Sequence, residues 1–569
     1  MTVLRWSTTL ARWSAALALL VWSWLWIGLP AVGMLLGVKA APTVALSQER
    51  QDAPVTITGS RTAWGACYRE SVGAITHVHL AGSPSEIGWG LGRLAGDRIT
   101  ALEGDLVGVF TERVPWFPLR HLLLGLVNAN NRTLAAHYRS EELAEIAAST
   151  AAHGRYFDAY RAMGPSWSRG LQYHALHDIS QYLIDSPLVQ PIAVGCTAVA
   201  LGPSRVALGP DRVALGPDRA GGHWLVGRLF DFEGGARFDL DKIVYTVAPD
   251  RGHRFVHVCW AGMSGAVTGL NDAGLWVSIN AAATDARVFV GRPVVLAVRE
   301  ILQHADGIDA ALDILKKTPV FVSDAVLLVS AREGRAVVAE KGPGGFGVRA
   351  MTDDQLIVTN HFIAPTWSAD QANADRLAHG TTAKRWARVE ELLAGRTFDP
   401  PAVAALLRDR HGPAGKDLGF SNRGTINAWI GCHLAVCDVT AGVLWVSEPR
   451  HGLGAMRAFT VDGPVDLPPI AADPDLERCA QDQPRWLAAC AEVKALLRGG
   501  LEVSERAAAE AQIATILRLN PEHFESLWLA GLVARDPAER RRWLESALAA
   551  QPAYPADAER IRQALGELP

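Results

Sequence analysis

Cys196 is the residue with the clearest chemical potential in this chain. It lies between Gly195 and Thr197, after an apolar run at 191–194 and at the head of a short strand predicted over 197–201. A second strand, expected over 224–228, leads into Gly227-Arg228-Leu229-Phe230-Asp231-Phe232. Pairing the two would bring Arg228 and Asp231 beside the thiol at one end of a sheet. A thiol attacks as thiolate, and a nearby cation favours that form. A lone cysteine in an apolar strand is more often plain core, so the local pattern needs support from the rest of the chain. Asn280 and Asn360 each end an apolar strand. A buried amide there must find partners, so each either braces a loop or points at a ligand oxygen.

Further motifs recur in order along the chain. Val78-His79-Leu80-Ala81-Gly82-Ser83-Pro84-Ser85-Glu86-Ile87-Gly88, followed by Gly90 and Gly92, reads as a strand–turn–helix entry. After Cys196 and the Gly227–Phe232 segment come Gly269-Leu270-Asn271-Asp272-Ala273-Gly274-Leu275 through Asn280, then Val358-Thr359-Asn360-His361-Phe362, then Thr381-Thr382-Ala383-Lys384-Arg385. This ordered set, over about residues 75–450, resembles the N-terminal-nucleophile (Ntn) hydrolases of the autoproteolytic acyltransferase family. Penicillin acyltransferases are its best-known members; bile salt hydrolases, penicillin V acylases and acid ceramidase are relatives. Each motif alone is weak, and the order carries the resemblance.

One departure stands out. Arg228 lies 32 positions after Cys196, farther than the family pattern. Three copies of one heptapeptide fill the gap, beginning at Val199, Val206 and Val213 and each containing Gly-Pro. Removing two copies would restore the spacing. The Gly-Pro pairs exclude a continuous helix and mark a lengthened hairpin loop.

The resemblance implies an α+β fold, the αββα sandwich of Ntn hydrolases, and a chain that cleaves itself between Gly195 and Cys196. Cys196 would then carry a free α-amine, whose ordinary pKa of about 7.7–8.0 suits it to take the thiol proton. The resemblance assigns Arg228 and Asp231 to ordering the nucleophile and its amine. It places Asn280 and Asn360 at the oxyanion position, where donors stabilise charge on a carbonyl oxygen. Arg385 matches the late arginine of the family, with Arg388 one helical turn on as its competitor. The implied activity is hydrolysis or transfer of the acyl group of a linear amide through a thioester, without a cofactor. A phospholipase B-like ester hydrolase and a non-catalytic scaffold remain as alternatives.

The elements that must position these residues follow from periodicity. Strands are expected over 75–80, 255–260, 275–280, 325–330, 337–340, 356–359 and 442–446, and helices over 293–305, 308–316, 383–394 and 401–409. This yields five regions: a membrane anchor or signal segment at 1–40, a tether at 41–66, and a mainly helical part at 67–195 that would become the small fragment. A catalytic domain follows at 196–467 and a helical region at 468–569. Asn520-Pro521 between amphipathic stretches in the last region resembles a tetratricopeptide repeat, though only about two units are visible. Such helices serve as a structural appendage or a protein-partner site, and the two fragments are expected to stay associated.

With 49% hydrophobic residues and a net charge of −4, the composition carries no polyelectrolyte footprint, so nucleic acid is not expected as a partner. Residues 13–38 are uncharged and apolar after Arg5 and Arg12, long enough to span a bilayer where about 20 residues suffice. The arginines would stay cytoplasmic and the catalytic part would be exported, as in a bacterial inner-membrane protein facing the periplasm. Secretion after cleavage near residues 38–41 is the alternative. Seven scattered cysteines include Cys479 and Cys490, a candidate disulfide. Weaker signals are Gly262-Met263-Ser264-Gly265-Ala266, which lacks the last glycine of a serine elbow, and His77 with His79, which lack a third metal ligand. Asp239 and Asp241 read as a solvated turn rather than a calcium loop.

Overall fold

The computed structural model describes residues 22–24, 28, 40–153, 165–184, 195–207, 222–500 and 502–567. Most of 13–38 and the second and third heptapeptide copies fall almost wholly outside these residues. Among the described residues, no helix is long and apolar enough to cross a membrane.

Two sheets organise the chain. Among the described residues one has eleven strands, drawn from 56–82 and 243–350, and the other has seven, drawn from 197–231, 355–358 and 431–464. Val244, Val256, Trp276 and Leu327 of the larger sheet pack on Ala198, Val226, Ala435 and Leu444 of the smaller. The outer face of the larger sheet is covered by helices Pro84–Leu94, Ser140–His153 and Val294–His304, through Ile87, Ile146, Leu296 and Ile301. The outer face of the smaller is covered by Thr382–Leu393 and Pro400–Leu407, through Val389, Leu393, Val403 and Leu407. The layers therefore run helix, sheet, sheet, helix. Burial on both faces explains why Thr197–Leu201 reads as an unbroken small and apolar run, with Ala198 and Ala200 inward and Val199 and Leu201 under the helices.

Strand Thr197–Leu201 lies between Leu225–Asp231 and Gln355–Val358, antiparallel to both, with Thr197 opposite Leu229 and Ala198 opposite Val358. Strand Gly431–Asp438 flanks Leu225–Asp231 on its other side. Cys196, Asp231, Thr359 and Asn360 thus collect at one end of the smaller sheet.

The N-terminal parts differ from expectation. Residues 41–66 hold the short helix Gln48–Asp52 and strands Thr56–Thr58 and Arg61–Trp64, which extend the larger sheet. Cys67–Val72 is a further strand, paired with Ile75–Gly82. The strands at 56–58 and 61–64 are too short to show periodicity, and the turns between these strands use Gly59, Gly65 and Gly73 at positive φ. Asp239 is no solvated turn residue: it is buried, with Lys242 Nζ 2.9 Å away, and accepts the backbone N–H groups of Arg450 and His451.

Among the described residues five helices follow residue 475, and the first three are Leu476–Gly499, Val503–Leu519 and Phe524–Val533. They share a core with Phe420, Trp429 and Leu453 of the sheet-bearing part. Asn520 clamps the Phe420 backbone from both sides, at 3.1 and 3.0 Å, and Lys384 Nζ donates to the carbonyls of Pro552 and Ala553. Cys479 and Cys490 are buried free thiols, as are the other five cysteines. Both lie on helix Leu476–Gly499, about 16 Å apart along its axis, beyond disulfide reach.

Candidate active site

Cys196 is fully buried where the two sheets meet. Its Sγ donates to the Asp231 carbonyl at 3.8 Å, and Arg228 Nη2 stands 4.0 Å from the sulfur. Burial pushes the thiol pKa up, opposed by the Arg228 guanidinium. In the continuous chain the residue is therefore a thiol at neutral pH and needs a base.

Arg228 is fully buried too, and holds its place by bridging the sheets. Nη1 donates to Thr268 Oγ1 at 2.7 Å and meets His433 Nε2 at 3.1 Å; Nη2 donates to the Ile279 carbonyl. The guanidinium lies over the Phe230 ring at 4.2 Å. Burial lowers its pKa to about 10, so it stays a cation at neutral pH. His433 stacks on Phe230 with ring centroids 5.4 Å apart, and burial keeps it neutral. Its Nε2 can therefore accept from Arg228.

Asp231 has no such network. It is 1% exposed, and among the described residues its Oδ1 has no hydrogen-bond partner. Burial pushes its carboxyl up to about 7, against the pull of Arg385, Arg423 and Arg228. A methyl group at Gly195 would stand 3.1 Å from Asp231 Oδ2, so the backbone before Cys196 passes directly by this carboxyl.

Arg385 closes the other side of the site. Nη1 donates to the Cys196 carbonyl at 2.6 Å and to Thr197 Oγ1 at 3.0 Å, and Nη2 donates to Asn360 Oδ1 at 2.7 Å. Arg388 points elsewhere and pairs with Asp409 and Glu391. Of the two arginines, Arg385 is the one at the cysteine.

The asparagines lie where the sheets touch. Asn280 Nδ2 donates to the carbonyls of Val358 and Thr359, at 3.1 and 3.2 Å, which engages both of its N–H groups. Asn360 Nδ2 donates to the Ala281 carbonyl at 2.8 Å, which leaves its second N–H uncommitted among the described residues. Its backbone N–H is fixed by Thr382 Oγ1 at 2.8 Å.

Sequence reading missed Thr268, His433 and Thr382, which hold Arg228 and Asn360 in place. A single threonine or histidine inside a buried strand, as at 268 and 433, gives no signal until the strands are paired, and Thr382 at a helix start meets Asn360 only in the fold. The minor motifs resolve as structural. The Ser264 backbone N–H donates to His174 Nε2 in a packed strand connection, and His77 and His79 both contact Thr246 Oγ1 at 2.9 Å.

A narrow recess of about 20 Å³, lined by Phe230, Phe232, Phe238, Trp260, Met263 and Val267 among others, adjoins this cluster. It has room for about one water.

Residues 220–448, about two fifths of the chain, match the family described as acyl-coenzyme A:6-aminopenicillanic acid acyl-transferase. The match takes in Arg228, Asp231, Asn280, Asn360 and Arg385, and begins after Cys196. An uncharacterized protein from Archaeoglobus fulgidus is 28% identical over 167 residues, covering 25% of this chain and 28% of that relative's length. Among solved structures, the N-acylethanolamine-hydrolyzing acid amidase ortholog of Caenorhabditis elegans is similar at 16% identity and a TM-score of 0.32, over 43% of this chain and 93% of the other. Penicillin V acylase from Agrobacterium tumefaciens follows at 14% and 0.29, over 46% and 84%, and a conjugated bile acid hydrolase from Clostridium perfringens at 11% and 0.31, over 48% and 95%.

Proposed function

We propose that this chain, whose residues 220–448 belong to the acyl-coenzyme A:6-aminopenicillanic acid acyl-transferase family, is a self-processing cysteine Ntn hydrolase or acyltransferase acting on a linear amide. The observation that carries this reading is the orphaned Asp231 Oδ1, buried beside the backbone that joins Gly195 to Cys196. A buried carboxylate without a partner is costly, and an ammonium released at Cys196 would supply one.

In maturation, Cys196 Sγ attacks the Gly195 carbonyl carbon. The S–C bond forms, the C–N amide bond breaks, and the thiol proton ends on the departing Cys196 nitrogen. Water then hydrolyses the thioester, leaving the Gly195 carboxylate and a free Cys196. In turnover, the new α-amine takes the thiol proton as Sγ attacks the substrate carbonyl, then delivers it to the leaving amine. Water or a second amine resolves the acyl thioester. Arg228 holds positive charge at the sulfur and Arg385 fixes the Cys196 carbonyl. The uncommitted N–H of Asn360 is the better oxyanion donor, while Asn280 holds the sheets together.

The test is turnover of a panel of N-acyl amides by the wild-type chain and by Cys196→Ala, which should lose all activity. Hydrolysis of esters with no amide turnover would favour a phospholipase B-like esterase. Processing without any turnover would favour a scaffold.

We further place the chain at a membrane through residues 13–38, with the catalytic part outside the cytoplasm. Activity should then resist release by high salt and yield to detergent, and a soluble mature form beginning near Ala41 would contradict an anchor.

A further inference from the structure

Helix Phe117–Asn130 is built inside out. Its sequence is rich in leucine, yet its buried residues are Gly125 and Asn128. Asn128 is held on the protein side by Gln172 Nε2 and by its own donation to the Leu124 carbonyl. The apolar side chains on the opposite side face the other way: Leu126 is 48% exposed, and Leu119, Leu122, Leu123 and Val127 are partly exposed. Water is a poor solvent for such a face, whereas an amphipathic helix in a globular protein buries it.

The patch extends beyond the helix. Trp116, just before it, is 51% exposed. At its far end Asn130 Nδ2 donates to the Phe289 carbonyl, which brings in a loop where Phe289 is 66% exposed. Charge accompanies the apolar surface. Between residues 106 and 138 the chain carries Arg113, Arg120 and Arg132 against Glu112 as the only acidic residue. A second copy of this face would bring like charges together. Anionic headgroups would meet opposite charge, with tryptophan at the interface and leucine and phenylalanine below it.

We infer that helix Phe117–Asn130, with Trp116 and the Phe289 loop, is a membrane-surface site that lies in the headgroup and upper acyl region of a bilayer containing anionic phospholipid. The inference rests neither on the proposed chemistry nor on residues 13–38.

It is tested on the full chain bound to phosphatidylcholine–phosphatidylglycerol vesicles. An environment-sensitive fluorophore is attached at Trp116→Cys or Leu126→Cys, and at Leu487→Cys as a control. Leu487 is 46% exposed on the C-terminal helices, and the native cysteines are buried. The two test positions keep the measurement open if one variant misfolds. Because every label rides on the same attached chain, anchoring elsewhere cannot by itself distinguish the positions. The expected result is blue-shifted emission at 116 and 126, severalfold stronger quenching by doxyl-labelled lipid than at 487, and shielding from aqueous iodide. Iodide quenching equal to that at 487 would overturn the inference. Shielding from both quenchers would overturn it too, since the face would then be covered by protein, either residues 13–38 or a second copy.

Discussion

Arg385 and Asn360 form one unit: Nη2 of the arginine donates to Oδ1 of the asparagine at 2.7 Å, while Nη1 of the same guanidinium holds the Cys196 carbonyl. The asparagine therefore fixes the nucleophile's backbone through the arginine, and its amide also links the smaller sheet to Ala281 of the larger.

This separates the two asparagines. Asn280→Ala removes the amide donor from two buried carbonyls and should lower stability by about 1–3 kcal/mol, with the turnover of the folded fraction largely kept. Asn360→Ala should lose stability on a similar scale and also lower kcat by about 10²–10³-fold, as expected when an oxyanion donor is removed. Urea unfolding and single-substrate kinetics on both variants check this. Unchanged kcat in Asn360→Ala would make that residue a brace alone.

Asp231 predicts a pH dependence of known sign. Below about pH 3.8 its carboxyl is protonated in both folded and unfolded chains. Between there and about 7 the folded chain keeps a proton that the unfolded chain has released, so stability falls as pH rises. Asp231→Asn is neutral throughout and lacks that slope. In a Cys196→Ala background, which keeps the chain continuous, the Tm advantage of Asp231→Asn should grow from pH 4 to 7 and then level off. A constant difference in thermal melts across that range would mean that the carboxyl is ionised in the folded chain.

The C-terminal helices should matter for stability because they share a core with the catalytic part. Trp486 is 2% exposed, packs edge-on against Phe420 and donates to Ser526 Oγ at 2.9 Å. Trp486→Ala should cost about 3–5 kcal/mol. Denaturant unfolding followed at the catalytic part checks this, and no change there would mean that the two regions unfold independently.

Much of this site could be read before the strands were paired. The motifs that hold Cys196, Arg228, Asp231, Asn360 and Arg385 are legible one by one, and the resemblance carried by their order, not any single local pattern, implies that they meet. What could not be read depends on distance in sequence. His433 and Thr268 are 165 residues apart and meet only because both sheets face Arg228. The two N–H groups of Asn280 are engaged by a strand that ends 78 residues later. The strands at 56–64 were missed because three or four residues cannot display a period of two. The disulfide expectation failed on geometry, since both cysteines lie on one helix.

The central claim is that Cys196 becomes a chain terminus. The most direct measurement is N-terminal sequencing, with intact masses, of the purified wild-type and Cys196→Ala proteins. The account predicts two associated wild-type fragments that meet between Gly195 and Cys196, corresponding to 195 and 374 residues of the full sequence, the larger beginning Cys-Thr-Ala-Val, and a single intact chain for Cys196→Ala. An intact wild-type chain that still hydrolyses amides would contradict it, because Cys196 would then have no α-amine to serve as its base.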